Sequence, residues 1–229
     1  MKKIFLYILI ILPNLIYSQT RINDAGARFS IKLRYKLNEK EYLNLMYRTR
    51  ILENFSELNS WFIDAGYGYK INNDLKISLH YRFNSSITNN NYFRTLHRYY
   101  LRADYRQFIN KYWILHNRII LQHTTHRFVT DIQDNGYKPY YRTDLRERIG
   151  FSYNLSSSDN IFLHNEWMFT LSDNPVELRR NRLYAGYEKD INDYTNIKCY
   201  FILQSSFHKR KSPNTNYFIF GIDLNFMIN

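Results

Sequence analysis

Only one cysteine, Cys199, occurs in the sequence, which excludes an intramolecular disulfide and a cysteine-based zinc centre. Four prolines and seven glycines, set against 45% hydrophobic and 18% aromatic residues, exclude a disordered or low-complexity chain. Beyond the N-terminal segment no run approaches 18 consecutive apolar residues, so no transmembrane helix is expected. Glycine-rich phosphate loops and nucleotide-binding motifs are missing too. No internal linker interrupts the 229 residues, and one domain is the sensible expectation.

Charge of one sign is plentiful: 32 Lys and Arg face 20 Asp and Glu, a formal net charge of +12. In a cytosolic protein this would point to nucleic acid. The first residues, "MKKIFLYILIILPNLIYSQ", point elsewhere. Lys2 and Lys3, an apolar run from Ile4 to about Leu12 and the small Ser18 before Gln19 have the layout of a secretory signal peptide. The expected organisation is therefore a signal peptide over 1–18 and an exported domain over 19–229, with no nucleic-acid partner.

The stretch "LHRYYLRADYR" (96–106) sets the fold class. Arg98, Arg102 and Arg106 recur every fourth residue, as on a helix face, yet Tyr99, Leu101, Ala103 and Tyr105 occupy every second position. Period two is a strand with one greasy and one ionic face. The same alternation, apolar at odd numbers, marks Phe29 to Leu37, Leu43 to Ile51, Trp61 to Ile71, Leu75 to Phe83, Trp113 to Leu121, Leu145 to Tyr153, Ile161 to Leu171, Leu183 to Tyr187 and Ile197 to Phe207. In an eleventh stretch, Phe218 to Ile228, the parity flips.

Links alternate as well. "NEK", "NND", "INK", "SSSDN" and "NDYT" are short, whereas "ENFSE", "SSITNNNYF", "TTHRFVTDIQDNGYKPYY", "DNPVELRR" and "KRKSPNTN" are longer. Long strands, tight turns on one rim, long loops on the other and an export signal describe an outer-membrane β-barrel, closed because an open edge would leave unpaired groups in hydrocarbon. Aromatic residues strengthen this. Tyr35, Tyr67, Tyr69, Tyr105, Trp113, Phe151, Tyr153 and Tyr187 lie near the short-turn ends, and Phe29, Trp61, Tyr81, Phe83, Tyr99, Trp167 and Phe169 near the long-loop ends, with aliphatic residues between. A secreted β-sandwich is the alternative, and strand length and loop asymmetry count against it. The expectation is an all-β, closed antiparallel up-and-down transmembrane barrel of 10–12 strands, with 12 preferred because "TRINDAGA" (20–27) could add a short strand and single-chain bacterial barrels usually have an even count.

The segments "LHRYYLRADYRQFINKYWILHNRIILQ", "LRERIGFSYNLSSSDNIFLHNEWMF" and "NRLYAGYEKDINDYTNIKCYFILQ" resemble domain of unknown function 2490, DUF2490. The family's pattern of Arg-rich strands, a Glu on a late strand (Glu166) and an Asn-Arg-Leu…Gly-Tyr strand (Asn181, Arg182, Leu183, Gly186, Tyr187) is matched across most of the chain. That resemblance implies an outer-membrane barrel of a Gram-negative bacterium and no established activity.

With odd positions toward lipid, the even face is the lumen. It carries Arg28, Lys32, Arg34, Arg48, Arg50, Lys76, Arg82, Arg98, Arg102, Arg106, Arg118, Arg146, Arg148, Arg180, Arg182 and Lys198, with His164, against the acids Asp64, Asp104, Asp144, Glu166, Glu188 and, after the flip, Asp223. Such charges must point inward for stability alone, so a plug of Arg–carboxylate networks is one reading. A wet, basic path for small anionic solutes is the other, favoured because the excess of bases would be poorly tolerated in a dry plug. Asn117, Glu147 and Asn165 break the outward pattern and mark an oligomer interface, a lipid-facing active site or a local bulge that turns one or more of them inward.

An enzyme acting on membrane lipid needs a nucleophile beside a base, and no such constellation is visible, so no catalytic residue is assigned. His123 and His126 in "QHTTH" are too few for a metal site, and "HKRK" (208–211) reads as a solvated loop. No cofactor or metal is expected. The partners expected are outer-membrane lipids and small anions.

Overall fold

A computed structural model of the protein describes residues 21–87, 93–125, 141–173, 175–207 and 214–228. They form eleven strands: β1 (Arg21–Lys36), β2 (Glu41–Leu52), β3 (Glu57–Lys70), β4 (Leu75–Ile87), β5 (Phe93–Phe108), β6 (Trp113–Thr125), β7 (Tyr141–Asn154), β8 (Asp159–Thr170), β9 (Glu177–Asn192), β10 (Thr195–Ser206) and β11 (Asn214–Ile228). Neighbours in sequence pair antiparallel, and β1 pairs with β11 to close a barrel. The strands are 12 to 16 residues long, enough to cross about 30 Å of hydrocarbon when tilted.

The closing pair is parallel, Arg21 opposite Asn214 through Tyr35 opposite Ile228. An odd count forces this, because direction reverses at every strand and the first and eleventh then run the same way. The preferred count of twelve is thus corrected to eleven. Residues 21–27 do not turn back as a separate strand; they prolong β1 along β11, where the backbone groups that face β11 gain ladder partners. Gly26 leaves no room for a side chain, since a Cβ there would sit 2.3 Å from the Ile51 carbonyl oxygen.

Four of the five short turns share one device. Asn38, Asn72, Asn110 and Asn192 each accept, through Oδ1, backbone N–H groups two or three residues on, for example Asp74 at 2.9 Å and Leu75 at 2.7 Å from Asn72. Ser156 Oγ does the same for Ser158 and Asp159. A short side-chain acceptor pins each turn and so sets the register of the hairpin above it.

Polarity is inverted relative to a water-soluble protein. Leu79, Leu101 and Phe201 on the outside are 62%, 51% and 66% exposed, while Asp64, Gln122 and Asp144 inside are at most 1% exposed. Outer aromatics pack along both rims, as in Trp61–Phe83 at 5.8 Å and Trp113–Tyr153 at 5.0 Å between ring centroids. So large an apolar outer surface has no stable place in water and suits lipid. One wall of the interior is apolar too, formed by Leu52, Phe162, Tyr184, Tyr200, Ile202 and Ile219.

Candidate functional site

Period two delivers most even-numbered side chains of β1 to β10 to the same enclosed space, and the parity change brings Asp223 of β11 to it as well, opposite Ser30 and Lys198. That space is a cavity of about 1320 Å³ running from short-turn residues such as Asn154 and Tyr194 to Ser86, Arg142 and Arg180 near the long-loop ends. A second cavity of about 610 Å³ opens at the short-turn rim and shares Arg106, Glu188 and Asp190 with the first.

The six interior carboxylates act as hubs. Asp64 accepts from Arg82 Nε (2.7 Å), Tyr100 Oη (2.5 Å) and His80 Nδ1 (2.8 Å). Asp104 takes Arg102 Nε and Arg118 Nε, both at 2.5 Å. Asp144 takes Arg142 Nε (2.9 Å), Gln122 Nε2 (2.8 Å) and Thr170 Oγ1 (3.0 Å). Glu166 on β8 takes Arg146 Nη2 of β7 (2.8 Å) and Arg182 Nη1 of β9 (3.0 Å). Asp223 takes Ser30 Oγ (2.6 Å) and Tyr200 Oη (2.7 Å), and Glu188 pairs with Lys198 at 2.6 Å. Each hub ties strands together with charge-assisted bonds inside the barrel wall.

Two inward glycines make these networks possible. A Cβ on Gly66 would lie 2.3 Å from the His80 ring, and one on Gly221 would lie 2.2 Å from Tyr200. Their absence lets the ring from the neighbouring strand lie flat across the backbone, where His80 also stacks on Tyr100 at 4.6 Å.

Of the residues expected to line the lumen, Arg48, Arg50, Arg82, Arg98, Arg102, Arg106, Arg118, Arg146, Arg148, His164, Glu166, Arg180, Arg182 and Glu188 border the cavity. Asp104 lies just behind them, bonded to Arg102 and Arg118. Two lining arginines were not expected. Arg142 follows the alternation, but its strand starts four residues earlier than the apolar pattern does. Arg179 has an odd number and turns inward because the β8–β9 register shifts between Met168 and Phe169.

Asn117, Glu147 and Asn165 remain on the outer face, which corrects the bulge reading. The β6–β7 and β7–β8 ladders have no register shift, and the flanking Arg118, Arg146, Arg148 and Glu166 all border the cavity. Asn165 is nonetheless only 5% exposed, because Asn181 on β9 covers it and donates Nδ2 to its Oδ1 at 2.8 Å. Glu147 stands between Ile119 and Trp167 in register.

Sequence reasoning also missed a relay. His80 donates Nδ1–H to Asp64, so its Nε2 accepts from Ser78 Oγ at 3.0 Å, in the order of a hydrolytic Ser-His-Asp triad. Ser78 is buried and is not among the side chains that border the cavity. His116 donates or accepts at Ser152 Oγ (2.7 Å), while His164 Nε2 is buried without a partner. His123 bonds Thr143 at 3.1 Å; His126 and residues 208–211 lie outside the described residues, as does the N-terminal segment 1–20. Among the described residues no group of His, Cys, Asp or Glu could hold a metal ion.

No curated protein matches the chain at a significant level. Among solved structures, the β domain of the Bordetella autotransporter BrkA is similar, with 11% identity, a TM-score of 0.39 and coverage of 75% of this chain and 80% of that one. The model of the family described as "Protein of unknown function (DUF2490)" matches residues 26–216, from β1 into β11, with the Arg-rich strands, Glu166 and the Asn181–Tyr187 segment all inside the match. The chain belongs to the DUF2490 family.

Proposed function

We propose that the protein is an outer-membrane barrel whose net-basic interior is a water-filled path or binding chamber for small anionic solutes. One observation carries this reading. All six interior carboxylates are already engaged, and Lys32, Arg50, Arg98, Arg106, Arg148 and Arg180 have no carboxylate partner among the described residues. An uncompensated cation in a dry interior costs several kcal/mol, so five guanidinium groups and one ammonium require water and mobile counter-anions. Positive walls around such water lower the barrier for anions and raise it for cations.

A specific observation favours a second reading, a structural barrel with a closed lumen. Glu166 clamps β7 to β9, and Asp64 joins β3 to β4 and β5, so the hubs cross-brace much of the interior. On either reading the outer face meets outer-membrane lipid, and the Asn117/Glu147/Asn165 patch is the place for contact with a second copy. The interior is read as non-catalytic, because Ser78 of the triad-like relay is buried and does not border the cavity.

The test is single-channel recording of the refolded protein in planar bilayers under a KCl gradient, compared with the Arg98→Ala/Arg102→Ala variant. Anion-selective steps, weakened in the variant, are expected. A correctly folded barrel that stays silent, or one that prefers potassium, sinks the conduit.

A further inference from the structure

We infer that the long-loop half of the cavity is a phosphate-binding site built on Arg50 and Arg180, a reading that rests on the proposed water-filled interior and adds a ligand class and a location. Arg50 is the third residue from the end of β2 and Arg180 the fourth residue of β9, so both sit below the long-loop rim. Both border the cavity although β1, β11 and β10 separate their strands, and Arg28, Arg142, Arg179 and Arg182 border it with them.

Three donors at this place are unsatisfied. Arg50 Nε, Arg50 Nη2 and Arg180 Nε are buried and have no hydrogen-bond partner among the described residues. The Arg50 guanidinium is held over the Tyr217 ring, 5.3 Å from its centroid, which fixes its plane and leaves its edge free. Buried unsatisfied donors on charged groups are rare in native proteins, and like charges do not gather without a reason. A multiply charged oxyanion answers both. The tetrahedral oxygens of a phosphate accept from guanidinium edges arriving from different strands, in the forked geometry that Arg favours. A chloride has no directional acceptors, and a single carboxylate, which can bridge arginines of two strands as Glu166 does, brings only one negative charge to a wall that carries Arg28, Arg50, Arg179, Arg180 and Arg182. The ligand is therefore a phosphomonoester or pyrophosphate group, either of a soluble solute or of a lipid headgroup that reaches the rim.

The experiment uses the full chain refolded in a neutral detergent, with inorganic pyrophosphate as the soluble probe in titration calorimetry. A parallel arm uses nanodiscs containing phosphatidic acid, with lipid binding read by native mass spectrometry. Saturable one-to-one binding to at least one probe is expected, weakened about tenfold or more by Arg50→Gln and by Arg180→Gln, each of which removes about one charge-assisted contact. Lys189→Gln makes the same charge change on an exposed rim residue and leaves binding unchanged. Heat-modifiable mobility on gels checks that each variant is folded. Binding to pyrophosphate alone assigns a soluble ligand, and binding to phosphatidic acid alone assigns a lipid. No binding by folded wild type, or equal loss in Lys189→Gln, overturns the site. The two readings fail separately: one-to-one binding by a silent barrel retains the site without the conduit, and anion-selective conductance without binding retains the conduit without the site.

Discussion

Glu166→Gln asks directly whether water reaches the interior. The carboxylate is 3% exposed, accepts from Arg146 at 2.8 Å and Arg182 at 3.0 Å, and lies beside the Tyr184 hydroxyl. Glutamine keeps one carbonyl acceptor, so one guanidinium retains a neutral bond and the other loses a charge-assisted one worth about 1.5–3 kcal/mol. With water and chloride at hand, the stranded guanidinium is rehydrated and the total loss stays near that bond, about 2 kcal/mol. In a dry plug nothing replaces the carboxylate, and breaking a buried pair costs about 3–5 kcal/mol, here at the upper end because two cations lose their counter-charge. Salt separates the cases further. Raising KCl from about 0.05 to about 0.5 M shrinks the penalty when ions reach the pair and leaves it unchanged when they do not. The assay is urea unfolding of wild type and variant in lipid vesicles, followed by tryptophan fluorescence at both salt concentrations. A loss of about 4 kcal/mol or more that ignores salt refutes the water-filled interior.

Other expectations follow from single side chains. Ser78→Ala removes one neutral hydrogen bond to His80 and costs about 1 kcal/mol in the same unfolding assay; buried and not bordering the cavity, Ser78 stays unlabelled by a fluorophosphonate, and labelling there would establish a hydrolase. Glu53, Asn54 and Phe55 in the β2–β3 loop all have positive φ, at 53°, 54° and 69°, so Phe55→Gly relieves left-handed strain and raises stability by about 1 kcal/mol, whereas no change would mean the loop relaxes in solution. Glu147→Leu removes a carboxylate from the outer belt and stabilises a monomeric barrel by about 1–2 kcal/mol, somewhat less than the cost of a basic residue at the midplane. If the patch is instead an interface, the same change lowers the dimer fraction in cross-linking.

The alternation was legible because lipid and lumen impose opposite chemistry on successive residues. Arg98, Arg102 and Arg106 read as one face of a strand from the text of β5 alone, and its pairing with β4 and β6 sets Arg98 level with Arg82 and Thr124. What depends on register was much less so. The Asp64–His80 contact follows from the β3–β4 hairpin, in which Asn72 pins the turn and places Gly66 opposite His80, with Asp64 one inward position further on. A reader who took Asn72 as a register marker could have drawn that pairing. Arg179 could not be found this way, since a bulge between β8 and β9 reverses its side without any glycine or proline to announce it. Nor could the strand count: the Asp24 carboxylate accepts the N–H groups of Glu53 and Asn54, so residues that look like a turn serve instead as the far end of β1, bracing the β2–β3 loop. Alternation thus sorts side chains between two solvents, but only pairing decides which of them meet. The unsatisfied donors of Arg50 and Arg180 arise at that second level, from strands 130 residues apart in the chain that closure of the barrel brings to one chamber.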